Sequence, residues 1–282
     1  MRARITTLLT FFLLAVSTVY GQTFEPLDLA KTIFGKDSLP DIKKYIAGEY
    51  EGRPNGQDLQ SGTITKFTLL GQSKKTAVVA MSVLDSLGKG FDTYLHFEKD
   101  TTWKMTAFRA LAMTGIIVQA KMELEKMTPQ QIDEIIARAK VKKKDDYAVF
   151  TSREDYNFQL GNAKLILELD ENIAKHFLAN QPQFERLKNL ALTQLGKRKA
   201  DEERSIKLIE DAKSTYRKLF VSAVSTGGYE LGNGINFLIG GMIDNSVGYL
   251  YVKDKKDLPE MNAERVIMIR EIGNGWYIYK TT

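Results

Sequence analysis

The sequence predicts an α+β protein, with two four-stranded antiparallel meander sheets bracketing a helix-rich middle segment. Two stretches, 63–109 and 235–281, alternate apolar and polar residues with a period of two, as half-buried strands do. Between them the apolar spacing turns helical and carries helix-start signals. Turn chemistry marks the strand joints, most clearly Asn274-Gly275, the strongest short hairpin signal in the chain.

In chain order, 1–21 (MRARITTLLTFFLLAVSTVYG) reads as a secretory signal peptide. Arg2 and Arg4 form a short basic start, an apolar run extends from Leu8 to Val16, and small residues lead out to Gln22. The expectation is an exported protein, periplasmic or extracellular. No second long apolar run follows, so no integral membrane segment is expected once the signal is removed. The chain has no cysteine, which removes disulfides, thiolate chemistry and a lipid-modified cysteine together. With only 2 histidines a three-histidine zinc site is impossible as well. No cofactor and no metal are expected. The chain holds 40 Lys+Arg against 35 Asp+Glu, a mild excess spread along its length, with one cluster at Lys142-Lys143-Lys144 that Asp145 and Asp146 follow at once. Nucleic acid, which selects a clustered basic stripe, is therefore not an expected partner.

Division of the chain follows the periodicity: a signal peptide (1–21), an N-terminal α+β module (22–110), a helical middle with a small hairpin (111–202) and a C-terminal α+β module (203–282). The N-terminal module opens on two short helices, 24–35 and 39–48, the second capped by Ser38 with Pro40 just inside. Strands are expected at 63–70, 76–84, 90–98 and 102–109. In the middle, helices span 110–126 and 128–143, with Thr128-Pro129-Gln130-Gln131 as a helix start. Extended pieces at 147–150, 156–160 and 164–169 follow, with Gly161-Asn162 as a hairpin turn. Helices resume at 171–179, 182–195 and 202–220, the last two separated by a charged break at 196–201. The final strands are expected at 235–243, 247–253, 264–272 and 276–281, with Asp244-Asn245-Ser246 and Asn274-Gly275 as turns. Each half runs from helix to meander and finishes on a strand led by tryptophan, Trp103 or Trp276, which raises the expectation of an internal duplication.

Candidate chemistry concentrates in 90–109, GFDTYLHFEKDTTWKMTAFR. Alternation puts Phe91, Thr93, Leu95 and Phe97 on one face and Asp92, Tyr94, His96 and Glu98 on the other. A tight turn at Asp100-Thr101 would set Asp92 opposite Arg109, His96 opposite Met105 and Glu98 opposite Trp103. Tyr94, His96, Glu98, Trp103 and Arg109 are the candidate ligand-binding residues. His96, with Asp92 and Tyr94, is the candidate acid–base group, because imidazole titrates near neutrality and a carboxylate can orient it. The same residues also fit a solvated outer sheet face carrying a cross-strand Asp92–Arg109 ion pair. His176 is expected at a helix surface or boundary. Tyr249, Tyr251, Tyr277 and Tyr279 either line an aromatic surface or pack in the core.

Glycine-rich runs at Ser225-Thr226-Gly227-Gly228, Gly232-Asn233-Gly234 and Gly240-Gly241 match neither a phosphate-binding loop nor a dinucleotide fingerprint, and read as bends and bulges. No Gly-x-Ser-x-Gly elbow is present. Asn274-Gly275-Trp276-Tyr277-Ile278 and Thr102-Trp103-Lys104-Met105, each opening the last strand of a sheet, resemble the ends of cystatin-like and NTF2-like α+β modules of exported bacterial proteins. The resemblance covers the two modules and leaves the helical middle without a counterpart. It implies a curved sheet with a working concave face, in a superfamily that hosts isomerases and dehydratases beside non-catalytic binding modules. The resulting expectation is a non-catalytic module for a small molecule, a glycan or a cell-envelope protein. The alternatives are an acid–base enzyme around His96 and a structural subunit pairing through the middle helices.

Overall fold

The first period-two stretch folds into the expected meander, β1 (Ile64–Gln72), β2 (Thr76–Leu84), β3 (Gly90–Lys99) and β4 (Trp103–Arg109), each antiparallel to the next. This is a computed structural model that describes residues 24–37, 39–141, 149–196, 207–226 and 228–282. The expected signal peptide, the Ser38 cap, the Lys142-Lys143-Lys144 run and the charged break after Gly196 lie outside those residues. Both faces of the sheet are covered. Ala77, Val79, Met81, Leu95, Phe97, Trp103 and Met105 pack against helix α1 (Pro26–Ile33) and Phe34, while Val78, Ala80 and Tyr94 on the other face join the core of the rest of the protein. In place of a helix over 39–48 there is a single 3-10 turn, Ile42–Lys44. After it, Ile46 bridges Met105 in parallel and covers the outer edge of β4.

The second sheet departs from expectation. It has five strands, β5 (Ala223–Thr226), β6 (Ile235–Met242), β7 (Asn245–Tyr251), β8 (Val266–Gly273) and β9 (Trp276–Thr281), in the order β5-β6-β7-β9-β8. It is therefore not a meander. Asn274 and Gly275 form the predicted two-residue turn, both with positive φ (55° and 79°), but that hairpin folds back so that β9 slots between β7 and β8. Trp276 thus leads an interior strand whereas Trp103 leads the last strand of its sheet, a difference in connectivity that an exact duplication does not produce. The other turn is Ile243-Asp244 rather than Asp244–Ser246, since Met242 pairs with Asn245. The expected bulge at the Gly240-Gly241 pair is present, as a register shift between Leu238 and Gly240.

The middle is helical: α2 (Thr114–Lys126), α3 (Pro129–Val141), α4 (Arg153–Ile166), α5 (Asp170–Ala179) and α6 (Gln181–Gly196), followed by the short α7 (Lys213–Arg217) and α8 (Gly228–Leu231). Thr128 and Gln131 bond reciprocally at the head of α3, as their spacing predicts. The expected extended pieces around 156–169 are instead α4, started by the Ser152 hydroxyl accepting from the Asp155 amide at 3.0 Å. Gly161 is not a turn residue. A Cβ there would lie 2.1 Å from the Phe220 ring. Asn162 donates across the same contact to the carbonyls of Phe220 (2.7 Å) and Ile239 (2.6 Å). Among the described residues the expected helix over 202–220 is also broken, because Lys207 and Leu208 run extended along β5, and a 3-10 turn, Glu210–Ala212, leads into the short α7.

α5 and α6 cover the inner face of the second sheet with an aromatic cluster. Ring centroids of Phe177, Phe184, Phe237, Tyr249 and Trp276 lie between 4.9 and 6.1 Å apart in its contacting pairs. Beside it, Lys280 on β9 extends its ammonium to within 2.8 Å of the carboxylate of Asp170, the first residue of α5, with both side chains nearly inaccessible. Tyr94 of the first sheet donates to the same carboxylate at 2.9 Å. One buried carboxylate therefore ties together the two sheets and a helix. Among the described residues no helix is long and apolar enough to cross a membrane.

Removing one member of a buried ion pair strands the other charge, at a cost of about 3–5 kcal/mol. Lys280→Met is expected to lower the unfolding free energy by that amount in urea titrations. The double variant Asp170→Asn/Lys280→Met is expected to recover part of it, since the Asp170–Lys280 pair is then removed as a whole.

Candidate functional site

Pairing in the central hairpin differs from the expected register by two. A three-residue turn sets Lys99 opposite Trp103, and a bulge between His96 and Phe97 adds one more step, so Tyr94 rather than Asp92 lies opposite Arg109, and His96 faces Ala107 rather than Met105. Glu98 pairs with Lys104 and is exposed. Trp103 moves to the α1 face, where Lys99 sits 5.3 Å from its ring centroid. The face that carries Asp92, Tyr94 and His96 is not a solvated outer face. All three are buried, because the second sheet and α5 pack over them.

Asp92 and Tyr94 converge on α5. The Asp92 carboxylate accepts the Asp170 amide at 2.6 Å, where the positive end of a helix favours an anion, and it also accepts the Ser82 hydroxyl. Burial, and then the neighbouring Asp170 carboxylate, raise the Asp92 pKa above the usual carboxylate range. The Tyr94 hydroxyl, fully buried and bonded to Asp170, has its pKa raised well beyond its ordinary value, first by burial. With Lys280 these groups form a closed network in which each polar group has a partner.

His96 does not join them. Its Nε2 is buried without a hydrogen-bond partner among the described residues. Burial, with the Arg109 charge second, lowers its pKa to about 4, against the opposing influence of the Ile267 backbone. Arg109 itself is spent on structure. Its Nε donates to the Ala263 carbonyl at 2.7 Å and its other end pairs with Glu49. His176, half-buried, takes up a bond with the Leu219 carbonyl at 3.1 Å and stacks on Phe220.

The four tyrosines of the second sheet do not share a surface. Tyr249 and Tyr251 face the aromatic cluster, whereas Tyr277 and Tyr279 face outward beneath the segment 254–262. Tyr249 donates to the Ile173 carbonyl at 3.0 Å and Tyr279 to Asn236 at 2.8 Å. Tyr277, only 3 % exposed, has a buried hydroxyl with no partner among the described residues.

Tyr277 is part of the wall of a cleft of about 550 Å³ between the two sheets. The end of β1 and the start of β2 form one side, and the segment from Lys255 to Met261 with β8 and β9 forms the other. Leu70, Val78, Leu258, Pro259, Met261 and Ile269 supply its apolar lining, and four of them, Leu70, Leu258, Pro259 and Met261, are only partly buried. Lys255 and Glu271 pair at 2.8 Å on its rim. After burial, these two charges are the ones that act on the Tyr277 phenol, Glu271 raising its pKa and Lys255 opposing. Alternation in 276–281 gave the face on which Tyr277 lies, but nothing local to it signals that 255–261 folds over that face and leaves the hydroxyl unmatched.

A second groove of about 720 Å³ runs along α4 and α7, where Arg217 lies over the Phe158 ring at 3.7 Å and pairs with Asp155. Glu154, Lys213 and Lys218 also line it. Among the described residues no group of three metal-ligating side chains occurs.

Two outcomes follow from these environments. Unfolded, His96 takes a proton near pH 6.5; folded, only near pH 4, so between these values the unfolded chain binds the extra proton and stability falls as the pH drops. The loss is expected to reach about 3 kcal/mol at pH 4 relative to pH 7, and His96→Leu should remove that part of the slope in urea titrations across the range. The second concerns the phenols. Tyr249→Phe is expected to cost about 1 kcal/mol, whereas Tyr277→Phe, which deletes an unpartnered buried hydroxyl, should leave stability unchanged or raise it. No protein-family model, curated protein or solved structure matches the chain, so the reading of this site rests on its own geometry.

Proposed function

We propose that the chain is an exported, non-catalytic binding module that holds a small molecule in the cleft between its two sheets. The observation that carries this reading is the cleft itself, with the partly buried Leu70, Leu258 and Met261 in its wall. The volume of about 550 Å³ falls in the range of small-molecule sites. The partly buried Leu70, Leu258 and Met261 have apolar surface left to bury, worth about 1.5–3 kcal/mol for a fully covered aliphatic side chain. Export is supported by the composition of residues 1–21.

An acid–base role for His96, Asp92 and Tyr94 has less support. Asp92 and Tyr94 are bound into the Asp170–Lys280 network, and none of the three lines either the cleft or the α4 groove.

Gly71 offers a direct test. It lines the cleft, and the only atom within 4 Å of a Cβ placed there is the flexible Met261 methyl, at 2.8 Å. A larger side chain at 71 therefore projects into the cleft with little strain elsewhere. Titration calorimetry with 4-phenylbutan-2-one is expected to show saturable binding, lost in Gly71→Leu. At about 100 times its dissociation constant the probe would stabilise the native state by about 2.7 kcal/mol, a rise of a few degrees in melting temperature. Binding that Gly71→Leu leaves intact would place the site elsewhere and overturn the proposal.

A further inference from the structure

We infer that the groove along α4 is a second binding site, for a neutral oligosaccharide, with Phe220 as the platform on which one sugar ring packs. The inference is independent of the cleft between the sheets. Three features carry it.

The first is how Phe220 is held. Its amide donates to the Arg217 carbonyl at 3.0 Å and the next amide, that of Val221, to the Tyr216 carbonyl at 3.2 Å, the two bonds that close a helix on a left-handed residue. That residue is ordinarily glycine; here it is a phenylalanine with φ 58°. α4 gives up a Cβ at Gly161 to admit the ring, Asn162 donates to the Phe220 carbonyl at 2.7 Å, and the His176 imidazole stacks on the ring with centroids 5.6 Å apart. A ring that served only the core would be covered, whereas Phe220 stays partly exposed. Backbone in so unfavourable a region persists where its surroundings over-determine it, and such positions cluster at functional sites.

The second is what lies on either side of the ring. Phe220 and Asn157 line both the groove of about 720 Å³ and an adjoining hollow of about 540 Å³, which His176 and Asn172 of α5 also line. The lining positions on α4, Glu154, Asn157, Phe158, Gly161, Lys164 and Leu165, fall on one helical stripe, which at a rise of 1.5 Å per residue is about 16 Å long. The site is thus a trough with an aromatic ring between its two halves, a shape that suits a chain of small units better than one compact molecule.

The third is the chemistry of the banks. The side chains of Glu154, Asn157, Lys213, Ser214 and Lys218 have no bonding partner among the described residues, so donors and acceptors stand open along the trough. Arg217, held on the Phe158 ring and paired with Asp155, adds donors fixed in place. A hydroxyl both donates and accepts, so a polyhydroxyl ligand satisfies carboxylate, amide and ammonium alike, while the C–H face of a sugar ring packs on an aromatic one. A hydrocarbon would strip these groups of water and return no bond. A ligand of one charge would meet its own sign, at Glu154 or at the two lysines.

Calorimetric titration of the full chain at pH 7 with cellotetraose, maltotetraose and tetra-N-acetylchitotetraose, and with tetragalacturonate as the charged counterpart, tests this. At least one neutral tetrasaccharide is expected to bind saturably, at least tenfold more tightly than tetragalacturonate. Phe220→Gly removes the ring while suiting the left-handed backbone, and Asn157→Ala trims an exposed side chain that holds nothing in place. Each should weaken that binding tenfold or more, and Asn157→Ala should leave the melting temperature unchanged. Gly71→Leu, which fills the cleft between the sheets, should leave the sugar affinity intact. Should Phe220→Gly fail to fold, Asn157→Ala alone decides. The inference is overturned if no neutral tetrasaccharide binds, if tetragalacturonate binds as tightly, if Asn157→Ala leaves the affinity unchanged, or if Gly71→Leu abolishes it. Binding of 4-phenylbutan-2-one in the cleft is read separately, and Asn157→Ala should retain it.

Discussion

The structure depends on one buried carboxylate. Asp170 opens α5, receives Lys280 from the last strand of one sheet at 2.8 Å and Tyr94 from the middle of the other at 2.9 Å, and presents its own amide to Asp92. Charges this deep are tolerated only when paired and hydrogen-bonded. Each sheet has an apolar face that would pack against many partners, so hydrophobic burial alone fixes neither their spacing nor their rotation. The network does, because its bonds form only when β3, α5 and β9 meet in one arrangement. Arg109, paired with Tyr94 across the strands and reaching from β4 to the Ala263 carbonyl at 2.7 Å, fastens the same two parts a second time.

Sequence reading reached the elements and missed the assembly, and the residues show why. Alternation located the first four strands to within two residues and the Asn274-Gly275 turn outright, because a strand's period and a turn's φ requirement are local. Strand order is not local. β9 lies between β7 and β8 because Tyr251, Tyr249 and Val247 pair with it, which no property of Trp276–Thr281 alone announces. Gly161-Asn162 looked like a turn because glycine and asparagine are usually selected for backbone freedom; here the glycine makes room for Phe220 and the asparagine bonds two remote carbonyls.

Asp92, Tyr94 and His96 lie on a face that the rest of the protein covers. Asp92, Tyr94, His96 and Arg109 were prominent because polar groups concentrated on one strand face read as either solvated or functional. A third possibility, that another sheet covers the face and the polar groups bond across the junction, cannot be seen without Asp170 and Lys280, which lie 76 or more residues away from Tyr94. Tyr277 has the converse history. In sequence it is one of four similar tyrosines in paired strands. Only when the partners of Tyr249 and Tyr279 are in place does its lack of one stand out.

That the cleft stays open follows from the same constraints. An apolar cleft lined by partly buried leucine and methionine side chains would gain free energy by closing. Closure would require the sheets to approach each other or the segment 255–261 to sink toward β2. The first is opposed by the Asp170 network and the Arg109–Ala263 bond, which hold the sheets at a set distance. The second is opposed by Pro259, with its fixed φ, and by the Lys255–Glu271 pair, which anchors the start of the segment to β8. The buried ion network therefore maintains, at a distance, an apolar surface that the neighbouring side chains leave partly uncovered.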